Sequence, residues 1–191
     1  MPGDQHLDKK KIIELLQKLS DDLCRINCLG ELCLVGGAVM IVAFNARNST
    51  FDIDGIFAPT SEIRLAAKQV AEEEGLEIDW LNDAVKGFLS DNIEKTIEGM
   101  PQFSNLKVYR ATDQSLFAMK VMSARLSLIQ GEKSNDLVDL EFLVRHLNVR
   151  TVEFGLEIVR RFFSDSGMTP NMRYFLSEAI ENVLSEVSIE K

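Results

Sequence analysis

Histidine and cysteine are scarce in this chain of 191 residues, which has two of the first and three of the second. Cys24, Cys28 and Cys33 contain no Cys-x-x-Cys pair, and His6 and His146 lie far apart, so a closed tetrahedral zinc site has poor support. The three thiols read instead as small buried core residues in a reduced compartment, with no structural disulfide expected. No Ser-His-Asp or Cys-His arrangement has supporting context, which argues against covalent hydrolysis. No apolar run approaches the roughly 20 residues of a membrane span, and the polar, lysine-bearing N-terminus does not resemble a secretory signal. A cytoplasmic location without a membrane partner is therefore expected. Positive charge is short as well. A net charge of −9 argues against a broad basic surface for gripping nucleic acid, though a local basic cleft remains compatible with it. No internal repeat, low-complexity stretch or long linker occurs. At 46% hydrophobic and 27% charged residues, the composition is that of an ordinary globular chain.

The most informative residues that are present are Asp52-Ile53-Asp54, downstream of Gly36-Gly37. Two carboxylates one residue apart on a strand point to the same face, while Ile53, with Phe51, points to the other. Like charges held side by side are costly unless a cation lies between them. A divalent metal is the usual answer, and Mg²⁺ is typically held by one or two carboxylates together with substrate phosphates. Upstream, Leu32-Cys33-Leu34-Val35-Gly36-Gly37-Ala38-Val39-Met40 reads as a buried strand, a glycine turn and a helix start. Such a turn lets backbone N–H groups approach phosphate oxygens. Phosphate cradle and metal carboxylates together suggest nucleotide chemistry.

Apolar spacing sets the remaining elements. Ile12, Leu15, Leu16, Leu19 and Leu23 predict a first helix from about residue 8 to the mid-twenties. A strand at Leu32–Val35, a helix near Ala38–Phe44 and the Asp-x-Asp strand to about Phe57 follow. Ser61 is a candidate N-cap for a helix that Gly75 stops, and Leu76–Trp80 is a candidate third strand. Leu106–Ala111 predicts a further strand, and Gln114–Ile129 a helix ended by Gly131. Ser134 or Asn135 caps the next helix, and two more lie at about 152–163 and 171–187. An α/β head thus precedes an all-helical tail, and the two are expected to pack as one unit.

The glycine turn, helix and Asp-x-Asp strand resemble the head of the polymerase-β-like nucleotidyltransferase superfamily, which includes the head domain of the CCA-adding enzymes. Arg47-Asn48-Ser49-Thr50-Phe51-Asp52-Ile53-Asp54 resembles the basic-hydroxyl approach of bacterial members. Gly75-Leu76-Glu77-Ile78-Asp79-Trp80-Leu81-Asn82-Asp83-Ala84-Val85-Lys86 is similar to small bacterial nucleotidyltransferase-like proteins. Ala118-Met119-Lys120 and Asp136-Leu137-Val138-Asp139-Leu140 are similar to the same set, and to abortive-infection and toxin nucleotidyltransferases. The spacer between Gly37 and Asp52 is slightly longer than the commonest family spacing; the extra length fits in the loop before the strand.

The resemblance implies an α+β nucleotidyltransferase head over residues 1–112, with a small mixed sheet flanked by helices. A helical C-terminal region over residues 113–191 would pack on it. It implies in-line transfer of NMP from NTP to a hydroxyl acceptor, with Mg²⁺ or Mn²⁺ and two metals about 4 Å apart. The acceptor would be an RNA end such as that of tRNA, a protein side chain or a small molecule. Asp52 and Asp54 would hold the metals, with Asp79 as candidate third carboxylate, Asp83 its competitor and Asp113 a weaker one. Alternatively, Asp79 and Asp83 are helix N-terminal carboxylates satisfied by backbone amides. Gly36, Gly37, Arg47, Ser49 and Thr50 would meet the nucleotide phosphates; a plain polar loop at Arg47–Thr50 is the alternative. Lys120, set in an otherwise apolar helix, needs a partner if buried. By the resemblance Lys120 would neutralise triphosphate charge and Asp139 would orient it; a structural ion pair is the other reading. A non-catalytic nucleotide- or partner-binding module keeping the same fold, and a toxin with an antitoxin partner, are the other functions compatible with these residues.

Overall fold

The computed structural model describes residues 6–83, 93–127, 135–164 and 168–189, and divides into two compact units. The first opens with helix α1 (Lys9–Arg25), capped by Asp8, whose carboxylate accepts from the Lys11 amide at 2.7 Å. Ile12, Leu15, Leu16, Leu19 and Leu23 form its fully buried stripe, as their spacing predicts. There follow β1 (Gly30–Leu34), α2 (Gly36–Val42), β2 (Ile53–Ala58), α3 (Thr60–Glu74), β3 (Leu81–Asn82), β4 (Lys95–Thr96) and β5 (Leu106–Ala111). The five strands form one mixed sheet in the order β3-β2-β1-β5-β4. β1 runs antiparallel to β2 and parallel to β5, while β2 and β3 are parallel. The described chain is therefore mixed α and β.

Register assigns the two faces of this sheet. Leu32 lies level with Phe57 and with Val108, so these three share one face. A Cβ added at Gly30, on that same face, would meet Leu23 of α1 and Ile63 of α3, so this is the face the two helices cover. Glu31, Cys33, Asp54, Ile56, Lys107 and Tyr109 belong to the opposite face by alternation. Burial there pushes the Cys33 thiol up to about 11. Cys28 is half-buried and Cys24 exposed, so only Cys33 is the core residue expected of all three.

Several boundaries differ from the sequence reading. Leu76–Trp80 is not a strand. Gly75 ends α3 in the left-handed conformation (φ 68°), and the Trp80 amide closes a turn onto the Glu77 carbonyl at 3.1 Å. Trp80 is fully buried and its indole donates to the Ala67 carbonyl at 2.9 Å, which displaces strand pairing to Leu81 and Asn82. The helix expected near Ala38 begins at Gly36, and α3 begins at Thr60 behind Pro59 rather than at a Ser61 cap. Strand β4 has no counterpart in the sequence reading. Ala84, Val85, Lys86, Gly131 and Ser134 lie outside the described residues.

The second unit consists, among the described residues, of α4 (Asp113–Ser127), α5 (Asn135–His146), α6 (Val152–Arg160) and α7 (Pro170–Ile189), with Glu94 bound to Thr112. α4 packs against the other three. Gly155 of α6 sits so close to α7 that a Cβ there would come within 2.7 Å of Leu176. Among the described residues, no helix is long and apolar enough to cross a membrane.

Glu74 at the end of α3 receives Lys11 and Lys18 of α1, each at 2.6 Å, and these bonds hold its carboxyl down at about 2. A carboxyl lowered on folding adds stability that is fully present above its ordinary value of 4.5 and fades as pH falls towards about 2. Glu74→Gln is therefore expected to lower the urea midpoint at neutral pH. The gap to wild type should close between pH 4.5 and about 2 in a pH series.

Candidate functional site

The segment from Gly36 to Asp54 folds back on itself. Gly36 adopts φ +61°, a conformation that L side chains rarely take, and a Cβ there would lie 3.0 Å from Asp54 Oδ2. At Gly37 a Cβ would come within 2.9 Å of both Arg47 Nη1 and Thr50 Oγ1. The two glycines thus form a side-chain-free floor on which a carboxylate, a guanidinium and a hydroxyl converge. The backbone seals the arrangement, because the Val35 amide donates to the Asp54 carbonyl at 3.0 Å. Leu7, itself buried, exchanges both backbone hydrogen bonds with Thr50, at 2.7 and 3.0 Å. Ser49 Oγ lies 3.2 Å from His6 Nδ1, whose ring tilts against Phe51 at 4.8 Å.

Asp54 lies within β2, whereas Asp52 sits in the bend just before it. Asp52 is half-buried, and burial raises its carboxyl above the usual range. A hydrogen bond from Asn82 Nδ2 to Asp52 Oδ2, at 3.1 Å, opposes the rise; the charge of Asp79 adds to it and that of Arg47 works against it. Asp79 is exposed on the turn before β3. Asp83 is gripped by Arg64, whose Nη2 reaches its two oxygens at 2.8 and 2.9 Å. The β2–β3 register puts Asn82, not Asp79, level with Asp54. Among the described residues, no three His, Cys, Asp or Glu side chains are grouped to hold a metal ion. Asn82 is the residue that sequence reasoning does not single out; a strand placed two residues later would have found it.

Lys120 and Asp139 belong to the helical unit. The Lys120 ammonium lies 2.7 Å from Asp136 and 2.7 Å from Asp139, joining α4 to α5. Burial works to lower the lysine's proton affinity, and the two carboxylates more than reverse this. Asp113, the weaker sequence candidate for a metal carboxylate, accepts from His146 across a 2.9 Å contact in the same unit. Gly36, Gly37, Arg47, Thr50, Asp52 and Asp54 are thus brought together, with Asp79 near enough to act by charge.

No family model, curated protein or solved structure matches the chain.

Removing Lys120 leaves Asp139 buried without its cation, so Lys120→Met is expected to cost about 3–5 kcal/mol in urea unfolding. Asp52 should behave oppositely. Its folded-state carboxyl binds a proton more tightly than the unfolded chain does, so ionising it above the ordinary value of 3.8 costs folded-state stability. Asp52→Asn is expected to raise the melting temperature of the ligand-free protein at neutral pH. The advantage should vanish below pH 3.8, where the wild-type carboxyl is protonated in both states.

Proposed function

We propose that the protein is a metal-dependent nucleotidyltransferase of the polymerase-β-like kind, moving NMP from NTP to a hydroxyl acceptor. The observation that carries this reading is the glycine floor, where the missing Cβ atoms of Gly36 and Gly37 let Asp54, Arg47 and Thr50 close on the turn more tightly than side chains there would allow. Only backbone and small groups can come this close to a charged phosphate chain. The same floor is the fit test for Mg²⁺ or Mn²⁺. Asp52 and Asp54 offer carboxylate oxygens, the donors a hard cation prefers, and a cation there would relieve the charge that burial and Asp79 make costly at Asp52. When bound, the metal would supply charge neutralisation on the phosphate oxygens and a more acidic attacking hydroxyl.

The protein's own groups have separable tasks. Amides of the Gly36-Gly37 turn hold phosphate oxygens, and Arg47 brings a fixed positive charge. Thr50, pinned through its backbone by Leu7, donates its hydroxyl from a fixed position. Ser49 lies on the same approach. Asp52 and Asp54 would hold the cation that keeps the α-phosphate in line for attack. One P–O bond forms as the bond to the departing diphosphate breaks, and the acceptor hydroxyl gives up its proton to Asp52 or to solvent. Asp79 is the available third carboxylate. A phosphate role for Lys120, with Asp139 orienting it, would require the ammonium to leave two carboxylates at 2.7 Å. An RNA acceptor would bind with strong salt dependence, given the net charge of −9.

One observation favours a second reading, a nucleotide-binding module without transfer activity. The side chain level with Asp54 on β3 is the neutral Asn82. Both readings place nucleotide at the same floor.

Thermal stabilisation by each of the four NTPs, with Mg²⁺ or Mn²⁺, tests the site. Metal-dependent stabilisation by at least one NTP is expected in the wild type, and its loss in Asp54→Asn. No stabilisation of the wild type by any NTP would refute both readings. Binding without NMP transfer to any RNA, protein or small-molecule hydroxyl would leave the second.

A further inference from the structure

Asn82 hydrogen-bonds one half of the acidic pair and lies level with the other. Register on the parallel strands sets it beside Asp54, and its amide donates to Asp52 Oδ2 at 3.1 Å. Its position is fixed from either side. The Ile53 amide donates to the Trp80 carbonyl at 2.6 Å, and Arg64 clamps Asp83 through both carboxylate oxygens. The pair then carries two formal negative charges, with the positive charge of Arg47 close enough to act on Asp52. One divalent cation balances two carboxylates. A second would sit beside the first with only Asp79, offset by the charge of Arg47, as a further anion among these side chains, until a nucleotide brings its phosphates. A carboxylate at position 82 would change that count without altering side-chain size.

Resting on the nucleotidyltransferase reading, we infer that Asn82 sets the cation capacity of the site. It orients the Asp52 carboxylate and, being neutral, limits the nucleotide-free protein to a single divalent cation. The second cation of a two-metal transfer would then arrive with the NTP, making nucleotide binding the step that completes the site. Asn82 acts through Asp52 and is thus a positioning residue.

Mn²⁺ titration of the nucleotide-free full chain, read by the electron paramagnetic resonance of free Mn²⁺, tests this. The wild type, Asn82→Asp and Asn82→Leu are compared, with melting curves to confirm folding and Mg-NTP binding measured in parallel. One Mn²⁺ per chain is expected for the wild type. Asn82→Asp should take a second Mn²⁺ or bind the first about tenfold more tightly. Asn82→Leu should weaken binding about tenfold through loss of the hydrogen bond to Asp52. If the leucine variant does not fold, the isosteric Asn82→Asp decides alone. Two Mn²⁺ in the nucleotide-free wild type, or a folded Asn82→Asp with unchanged number and affinity, overturns the inference even where Mg-NTP still binds. A wild type that binds neither Mn²⁺ nor any NTP overturns the nucleotidyltransferase reading, and this inference with it.

Discussion

The close approach of Gly36 to the Asp54 carboxylate is the contact around which the first unit is arranged. A side chain at position 36 would meet Asp54 Oδ2 at 3.0 Å, and the positive φ of Gly36 would strain it further. Because the turn is bare, β1 can end and α2 begin directly beside β2, and the loop between α2 and β2 can return over Gly37. That return sets Arg47 and Thr50 on the floor and brings Asp52 up before the strand. Leu7 and Thr50 then lock the loop by paired backbone bonds, so the polar groups stand on hydrogen-bonded backbone.

Electrostatics works against stability at this place and for it elsewhere. Asp52 is held where burial raises its proton affinity, with Asp79 adding to the strain. Such a carboxylate is costly to stability where it stands, and groups with perturbed proton affinity cluster at functional sites. Glu74 shows the reverse arrangement. It takes two lysines from α1, its carboxyl is lowered to about 2, and it ties the two helices that cover the sheet. Lys120 is a third case, a buried cation whose two carboxylates outweigh its loss of water. Its geometry suits a joint between α4 and α5, since both partners lie on α5 three residues apart.

Much of the site was legible because its parts are close in sequence. Gly36, Gly37, Arg47, Thr50, Asp52 and Asp54 lie within one excursion from β1 to β2, and period-two alternation puts Asp54 on the face away from α1 and α3. The third strand was misread for a physical reason. Leu76, Ile78 and Trp80 alternate as a half-buried strand would, yet Ile78 is 66% exposed and Trp80 is fully buried. The left-handed cap at Gly75 and the indole bond to Ala67 turn the chain before pairing begins. Pairing therefore starts at Leu81, and Asn82 takes the position beside Asp54. The cysteines teach the same lesson, since Cys24 is exposed on a helix whose apolar stripe runs elsewhere.

By itself the sequence determined what local rules can decide: the buried stripe of α1, the glycine turn, the placement of Asp54 on a strand and the helical character of the described C-terminal half. These follow from periodicities and from the freedom of glycine, which act within a few residues. Only the tertiary structure decided which residue stands level with Asp54, which cations take up Asp83 and Glu74, and which carboxylates hold Lys120. Those outcomes depend on strand register and helix packing between distant segments. Both are set by the burial of groups such as Trp80, which no local pattern encodes.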